Sequence, residues 1–420
     1  RRMKRFPIHT LFAALALLAA SGCLTSESDR QNDDKDPGEQ SVEMLTKKAE
    51  EGSVGAQLTL GKMYYEGRIA DQNFDKAVRL FRSAAESGNA PAQFNLGLCY
   101  DLGHGVEKHR ETALKWYRKA AEQGVLQAQL NAAVILDQEG ENELALRYFE
   151  MAANTGFVPA RRTVAKRYRD GEGVDRDPGR AAELFRQAAR AGDPESQVEL
   201  AELYRDGTGV PQDLKKMVDW YWLAAENGSA KGQTRLAYCY MNGIGVTEER
   251  DLGAKWYARA AQSGYAPAQV AYGNCLVRGT GVQRDPRAAL LWYRKAAEQG
   301  DPLGEFSVGV SYLLGRGVEK NPAQALAWFH RSAQKGYARA QYNLGSMYET
   351  GNTVQPDPKT AFRWYEKAAK QGDPEGLLAA GRCLLRGIGT APDQKKAVEY
   401  LKRARERGMD KAEDYLSECD

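Results

Sequence analysis

Little in this chain of 420 residues has the makings of a catalytic centre. Histidine occurs four times, and only His104 and His109 lie close together, five apart with no third ligand nearby, which argues against a zinc-type site. Six cysteines include no closely spaced pair, so neither a disulfide framework nor a Cys-x-x-Cys motif is present. Charge of one sign is missing too. The 59 basic and 56 acidic residues give +3, and setting aside the four bases of residues 1–22 leaves 55 against 56. A near-neutral body with both signs interspersed carries no electrostatic footprint for nucleic acid. The one long apolar run, Leu11 to Ala20, is too short for a bilayer core of about 30 Å.

What the chain has in quantity is glycine, and its placing is regular. Gly52, Gly88, Gly124, Gly156, Gly192, Gly228, Gly264, Gly300, Gly336, Gly372 and Gly408 are 36 residues apart, except for an interval of 32 ending at Gly156. Each closes an Ala-rich charged run such as KAAEQG at 119–124. Glycine ends helices because it enters the left-handed region without a Cβ clash. Eleven such caps bound ten intervals and predict ten copies of one helical unit, stacked as a solenoid with a continuous core. The copies span 53–408, with a partial helix on either side as caps, so the repeat body covers 42–420.

Within a copy, positions 4, 8, 11 and 12 (Ala92, Leu96, Cys99 and Tyr100 in the second) repeat at helical spacing. A Gly-x-Gly-Val turn leads to a second helix with Ala113, Trp116, Tyr117, Ala120 and Ala121. Position 28 is tryptophan in six copies, and position 29 is Tyr or Phe in nine, from Phe81 to Tyr365. These aromatics are expected to dominate packing between hairpins, with alanines at positions 4, 25, 32 and 33 allowing close approach. Segments such as AQYNLGSMYETG (340–351) and AALLWYRKAAEQG (288–300) resemble the Sel-one-like repeat family, a branch of the tetratricopeptide-like superfamily. The resemblance implies an all-α, right-handed superhelical solenoid of helix-turn-helix repeats that binds proteins and is not an enzyme.

Motifs that suggest chemistry dissolve when the copies are laid over one another. Cys99, Cys239, Cys275, Cys383 and Cys419 share position 11, where other copies have Met63, Ile135, Leu203 and Met347; a small apolar side chain fits there. Some family members staple hairpins with cysteines seven or eight residues apart. This chain has no such pairs, and its thiols are expected to stay free. The paired turn glycines recur in seven copies with no strand before them, so they are turn residues and not a phosphate cradle. Ser332-Ala333-Gln334-Lys335 matches the Ser-x-x-Lys of penicillin-recognising enzymes, yet Ser332 stands where nine copies have alanine and the Ser-Asp-Asn and Lys-Thr-Gly partners are absent. His104 falls at a variable, exposed position, and Asp75, Asp177 and Asp285 read as caps of second helices. No cofactor or metal is implied.

The N-terminus reads as a signal peptide (1–22) followed by Cys23 and a polar tether through residue 41. Arg1, Arg2, Lys4 and Arg5 precede the apolar run, which ends in Ala20-Ser21-Gly22-Cys23. That ending resembles the lipobox of bacterial lipoproteins, although Ala20 departs from the usual leucine, and it implies lipidation at Cys23. Leu24 after the cysteine fits outer-membrane sorting in the enteric lipoproteins it resembles. The polar run 25–41 is expected to be disordered, holding the body about 20–25 Å from the membrane.

Function is expected where the copies differ, at positions 3, 6, 10, 13 and 14 of the first helix, opposite its core face. In related superhelices this is the concave side. Phe94, Leu98, Leu102, Leu130 and Val134 make an apolar stretch in copies two and three. Arg162, Lys166, Arg169, Asp170, Glu202, Arg205 and Asp206 make a charged stretch in copies four and five. Tyr238 and Met241 follow, and then the apolar Phe306, Val310, Leu313 and Leu314 of copy eight. Either these apolar residues contact a partner or they pack on neighbouring first helices. The expectation is a monomeric, lipid-anchored scaffold facing the periplasm and binding other envelope proteins. The alternative is an envelope enzyme or glycan-binding protein acting on peptidoglycan or an exported polysaccharide. Copy three lacks Gly-x-Gly-Val, its turn shrinking to Asp137-Gln138-Glu139-Gly140, which predicts a break in regularity where copies three and four meet.

Overall fold

A computed structural model describes residues 37–67, 71–351 and 353–418, with side chains from Val42 onward. Cys23, most of the polar tether and Cys419 lie outside the described residues. The chain divides into two compact units between Lys119 and Ala120. The first holds α1 (Pro37–Glu50), α2 (Val54–Glu66), α3 (Phe74–Glu86), α4 (Ala90–Leu102) and most of α5 (Arg110–Glu122). The second unit continues with α6 (Leu126–Glu139), α7 (Asn142–Asn154), α8 (Val158–Asp170), α9 (Pro178–Arg190), α10 (Pro194–Asp206) and α11 (Leu214–Glu226). Then come α12 (Ala230–Asn242), α13 (Arg250–Gln262), α14 (Ala266–Arg278), α15 (Pro286–Glu298), α16 (Pro302–Leu314) and α17 (Pro322–Gln334). The last are α18 (Ala338–Thr350), α19 (Pro358–Lys370), α20 (Pro374–Arg386), α21 (Gln394–Glu406) and the short α22 (Lys411–Leu416). No strand occurs among the described residues. The fold is a series of tandem helical hairpins.

Helix α1 begins at Pro37, so residues 37–41, read from sequence as the end of a disordered tether, are helical. Proline suits a first turn, where its missing N–H would have no partner anyway. The hairpin helices are cut to near-uniform length by caps at both ends. Asn89 Oδ1 accepts from the amide of Ala92, and Asp193, Ser229, Asp301 and Asp373 do the same for their own helices. Asp177 and Asp285 cap α9 and α15 as expected. Asp75 does not: Asn73 caps α3, and Asp75 sits in the first turn, where a carboxylate favours the helix dipole.

The two sets of glycines do different work. At Gly88 (φ 88°) nothing lies within 4 Å of where a Cβ would be. Its role is conformational, closing α3 with Gly88 N–H on Ala85 O and Asn89 N–H on Ala84 O. At Gly105, the second glycine of a Gly-x-Gly turn, a Cβ would stand 2.5 Å from the carbonyl of Phe74, at the start of the preceding copy's second helix. Gly209, Gly245, Gly281, Gly317 and Gly389 make the same approach to their predecessors. These residues are therefore stacking contacts as well as turn residues. Copy nine carries Thr353 in this register.

The core follows the sequence in part. Ala92, Ala113, Ala268, Ala289, Ala296 and Ala297 are fully buried, and the Tyr or Phe at position 29 is buried throughout. Glycine makes room for that ring: a Cβ on Gly97 would meet Tyr117 Cδ1 at 2.8 Å. The tryptophans differ from expectation, being only half-buried. In five of the six the outer face carries a cation from the next turn, as with Lys295 at 4.2 Å from the Trp292 centroid and Lys367 at 4.0 Å from that of Trp364; Trp220, with Leu223 at that place, has none. An indole with a wet face and a Lys or Arg three residues on gains a cation–π contact in place of full burial.

A buried glutamine at position 5, unnoticed in the sequence, ties the hairpins together. Gln197 Nε2 donates to Ala189 O (3.0 Å), and Gln57, Gln93, Gln129, Gln233, Gln269 and Gln341 make the equivalent bond to a second-helix carbonyl. Where the register 30 residues on is an amide, it donates to the glutamine's Oε1: Asn227 to Gln197, Gln299 to Gln269, Gln371 to Gln341. In copies one, three and six that register is Ser87, Thr155 or Ser263. Those hydroxyls bond back to their own helices instead. The Oε1 atoms of Gln57, Gln129 and Gln233 are left buried without a partner.

The close approach of the turn glycine persists behind the short turn of copy three. Gly173 presses on the carbonyl of Asn142 just as its counterparts do elsewhere. An added tie appears at the same place. Arg167 takes position 11 of copy four, is 5% exposed, and pairs with Asp137 of the short turn at 2.5 Å while lying over the Phe149 ring.

Candidate interaction surface

No catalytic constellation forms around the residues that mimic one. Ser332 is fully buried and its hydroxyl donates to Pro302 O at 2.7 Å. Lys335 is held by Glu305 Oε1 (2.8 Å) and Gly300 O (3.0 Å). His104 is half-buried, not exposed: it stacks on Phe74 with centroids 4.4 Å apart, and its Nδ1 lies 2.9 Å from the Tyr65 hydroxyl. His109 Nδ1 accepts from the amide of Thr112, in the manner of a cap. Cys99, Cys239, Cys275 and Cys383 are buried free thiols. Burial pushes Cys99 up to about 12 and Cys239 and Cys275 up to about 11, which suppresses thiolate chemistry. Among the described residues no group of three potential ligands could hold a metal ion, and no helix is long and apolar enough to cross a membrane.

The surface that varies from copy to copy is the first-helix face. In the second unit, first helices of successive copies pack directly on one another, as α10 does on α12 and α14 on α16. At position 6 Leu130, Val198 and Val270 are buried, whereas Phe306 and Leu378 are half-buried. Leu130 therefore does not belong to an open surface. The Phe306 ring lies 5.6 Å from Phe329 and 5.1 Å from Tyr337. Val310 and Leu313 pack partly against the same cluster. In the first unit Phe94 leans on Tyr117 at 5.8 Å and Leu98 is half-buried. Met241 folds over Gly253 of its own hairpin. Position 14 stays open, with Leu102 at 49% and Leu314 at 53% exposed, and at position 10 so does Tyr238 at 52%.

The charged stretch satisfies itself. Arg162 bonds Asp193 at 2.7 Å, Arg169 bonds Glu199 at 2.6 Å, and Arg235 reaches Glu202 at 2.9 Å. Arg205 pairs with Glu202 and Asp206, and Lys231 approaches Glu199 at 3.6 Å. Lys166 is half-buried on the same face. Each pair joins neighbouring copies or neighbouring turns, so the ladder runs along the stack. Hydrogen bonds from Arg169 and Arg205 hold the Asp170 and Asp206 carboxyls below their ordinary range.

Past this ladder the face changes character. Between α14 and α16 lies a cleft of about 140 Å³ lined by Val277, Phe306 and Val310 on one hand and by Asn274, Arg278 and Arg316 on the other. Tyr293, at its floor, donates to Asn274 Oδ1 at 2.7 Å. Burial pushes the Tyr293 hydroxyl up to about 12, an effect that Arg278 and Arg316 oppose.

The comparisons with known proteins agree with the architecture. The Sel1 repeat model matches ten segments, at 54–89, 90–125, 136–157, 162–193 and then six consecutive 36-residue stretches from 194 to 409. Its third match is shortened, at the copy whose turn is shortened. A protective antigen of uropathogenic Escherichia coli strains, c5321, which displays an SLR fold, is 35% identical with a TM-score of 0.65 over 88% of this chain and 80% of its own. A Sel1 repeat protein from Oxalobacter formigenes is 29% identical, with a TM-score of 0.54 over 81% of this chain and 90% of that one. No curated protein is significantly similar to the chain.

Proposed function

Because the chain belongs to the Sel1 repeat family, we propose that it is a non-enzymatic scaffold that binds partner proteins along its first-helix face. We place it in the bacterial envelope, lipid-anchored at Cys23 and facing the periplasm. The observation that carries the binding reading is the location of exposed apolar side chains. Leu102 in the first unit and Tyr238 and Leu314 in the second stand exposed at first-helix positions that change between copies, and such side chains on an otherwise repetitive body mark contact sites. The envelope placement rests on the basic and apolar leader ending at Cys23. It accords with the description of the E. coli relative as a protective antigen.

Crosslinking in intact cells tests the scaffold. The unaltered protein should capture a defined set of envelope proteins, and the L102D/Y238D/L314D variant should lose them while melting at the same temperature. Recovery of glycan with no protein would instead favour the glycan-binding reading. For the anchor, metabolic labelling with palmitate should mark the protein and leave Cys23→Ala unmarked; a labelled variant would sink it.

A further inference from the structure

We propose that the cleft between α14 and α16 receives an extended acidic segment of a partner protein. A Glu or Asp carboxylate sits between Arg278 and Arg316, and an adjacent apolar side chain rests on Phe306 and Val310. This rests on the first-helix face being the binding surface, and it names the chemistry bound there. Arg278 and Arg316 are both exposed, and neither guanidinium makes an ion pair or hydrogen bond among the described residues. Charged residues at the register of Arg278 in copies four, five and ten are occupied. At the register of Arg278, Asp170 and Asp206 are bound by their neighbouring arginines, and Arg386 bonds Glu418 at 2.6 Å while lying over Tyr415.

No acid on the neighbouring first helices is free to serve them. α12 and α14 contain none. The single acid of α16, Glu305, is fully buried and taken by Lys335 and Arg331. Two guanidiniums beside an apolar wall, with no carboxylate of their own, are complementary to a carboxylate next to a hydrophobic side chain. Guanidinium forks suit carboxylates in particular, by paired N–H donors. The interior wall adds Tyr293, whose hydroxyl is spent on Asn274, so selection for acid falls to the two arginines.

The probe is a peptide array of decapeptides carrying one Glu and one Leu or Phe at every pair of positions in a Gly/Ser background, with Gln-for-Glu counterparts. Peptides that bind are then measured by fluorescence anisotropy. Acidic members should bind, Gln counterparts should bind roughly tenfold more weakly or worse, and R278Q and R316Q should each weaken binding by a similar factor at unchanged melting temperature. R386Q, whose guanidinium is already occupied by Glu418, should leave binding unchanged. Equal binding of Glu and Gln peptides, or no array member binding at all, overturns the inference. So does retention of acidic-peptide binding in R278Q/R316Q; if Y238D or L314D abolishes it there, the cleft is wrong while the first-helix face remains the binding surface.

Discussion

Copies three to five and copies seven to eight are built on the same hairpin yet treat charge in opposite ways. In the earlier region arginines and carboxylates close on each other across the stack, from Arg167–Asp137 through Arg162–Asp193 to Arg169–Glu199. In the later region the first helices are apolar, and the two arginines at the cleft have no acid to meet. A variable surface is thus not automatically a binding surface. In the first case variation is absorbed by reciprocal variation in the next copy; in the second it is left unanswered.

The sharpest way to break this contrast is at Asp137. Replacing it by alanine leaves the Arg167 guanidinium buried without its counter-charge, with an expected loss of about 3–5 kcal/mol, read as a lowered midpoint in urea unfolding. Arg167→Met, which restores the residue type of Met63 and Met347, should by comparison be near neutral. A harmless Asp137→Ala would mean the pair contributes nothing and the earlier region is not held by its charges. Copies seven and eight should fail by shape instead. Ala296 Cβ lies where a Cβ on Gly304 would come within 2.7 Å, so Ala296→Leu should cost roughly 1–3 kcal/mol by overpacking. Equal stability of this variant to 4 M salt and to low salt would fit packing, and a marked salt dependence would not.

The smallest effect lies between the regions, in copy six. Ser263→Gln puts an amide where Gln299 and Gln371 have one, within reach of the orphaned Gln233 Oε1. It should stabilise by about 1 kcal/mol. Calorimetry of the full chain would detect the rise; no change would show that water already serves that oxygen.

How legible this was depended on whether a feature repeats within a copy or acts between copies. Cap glycines, buried alanines and position 29 aromatics are local and periodic, so spacing alone placed them. Position 28 differs from expectation because the indole lies at the margin of the second helix's buried face, half-buried in Trp220 as in the five that carry a cation. Gln93 and its equivalents were overlooked because a polar residue at a helical position looks like surface. Only its bond to a carbonyl eight residues back explains its burial. The charged inner face was visible in sequence, but its pairing was not, since Arg169 and Glu199 are neighbours only after stacking. Arg167 was hidden for the same reason: its partner is an acid in the irregular turn of the copy before.

The close approach of Gly105 and its equivalents gives the array a grammar of succession. The glycine belongs to one copy, but the backbone it must clear belongs to the copy before. A duplicated unit therefore carries with it the means to follow, and fits behind any ordinary copy without changes to its predecessor. Copy nine, with Thr353 in that register, shows that an interior unit can depart from the rule. A lineage lengthening such a chain would draw most readily on the glycine-bearing units for its duplications.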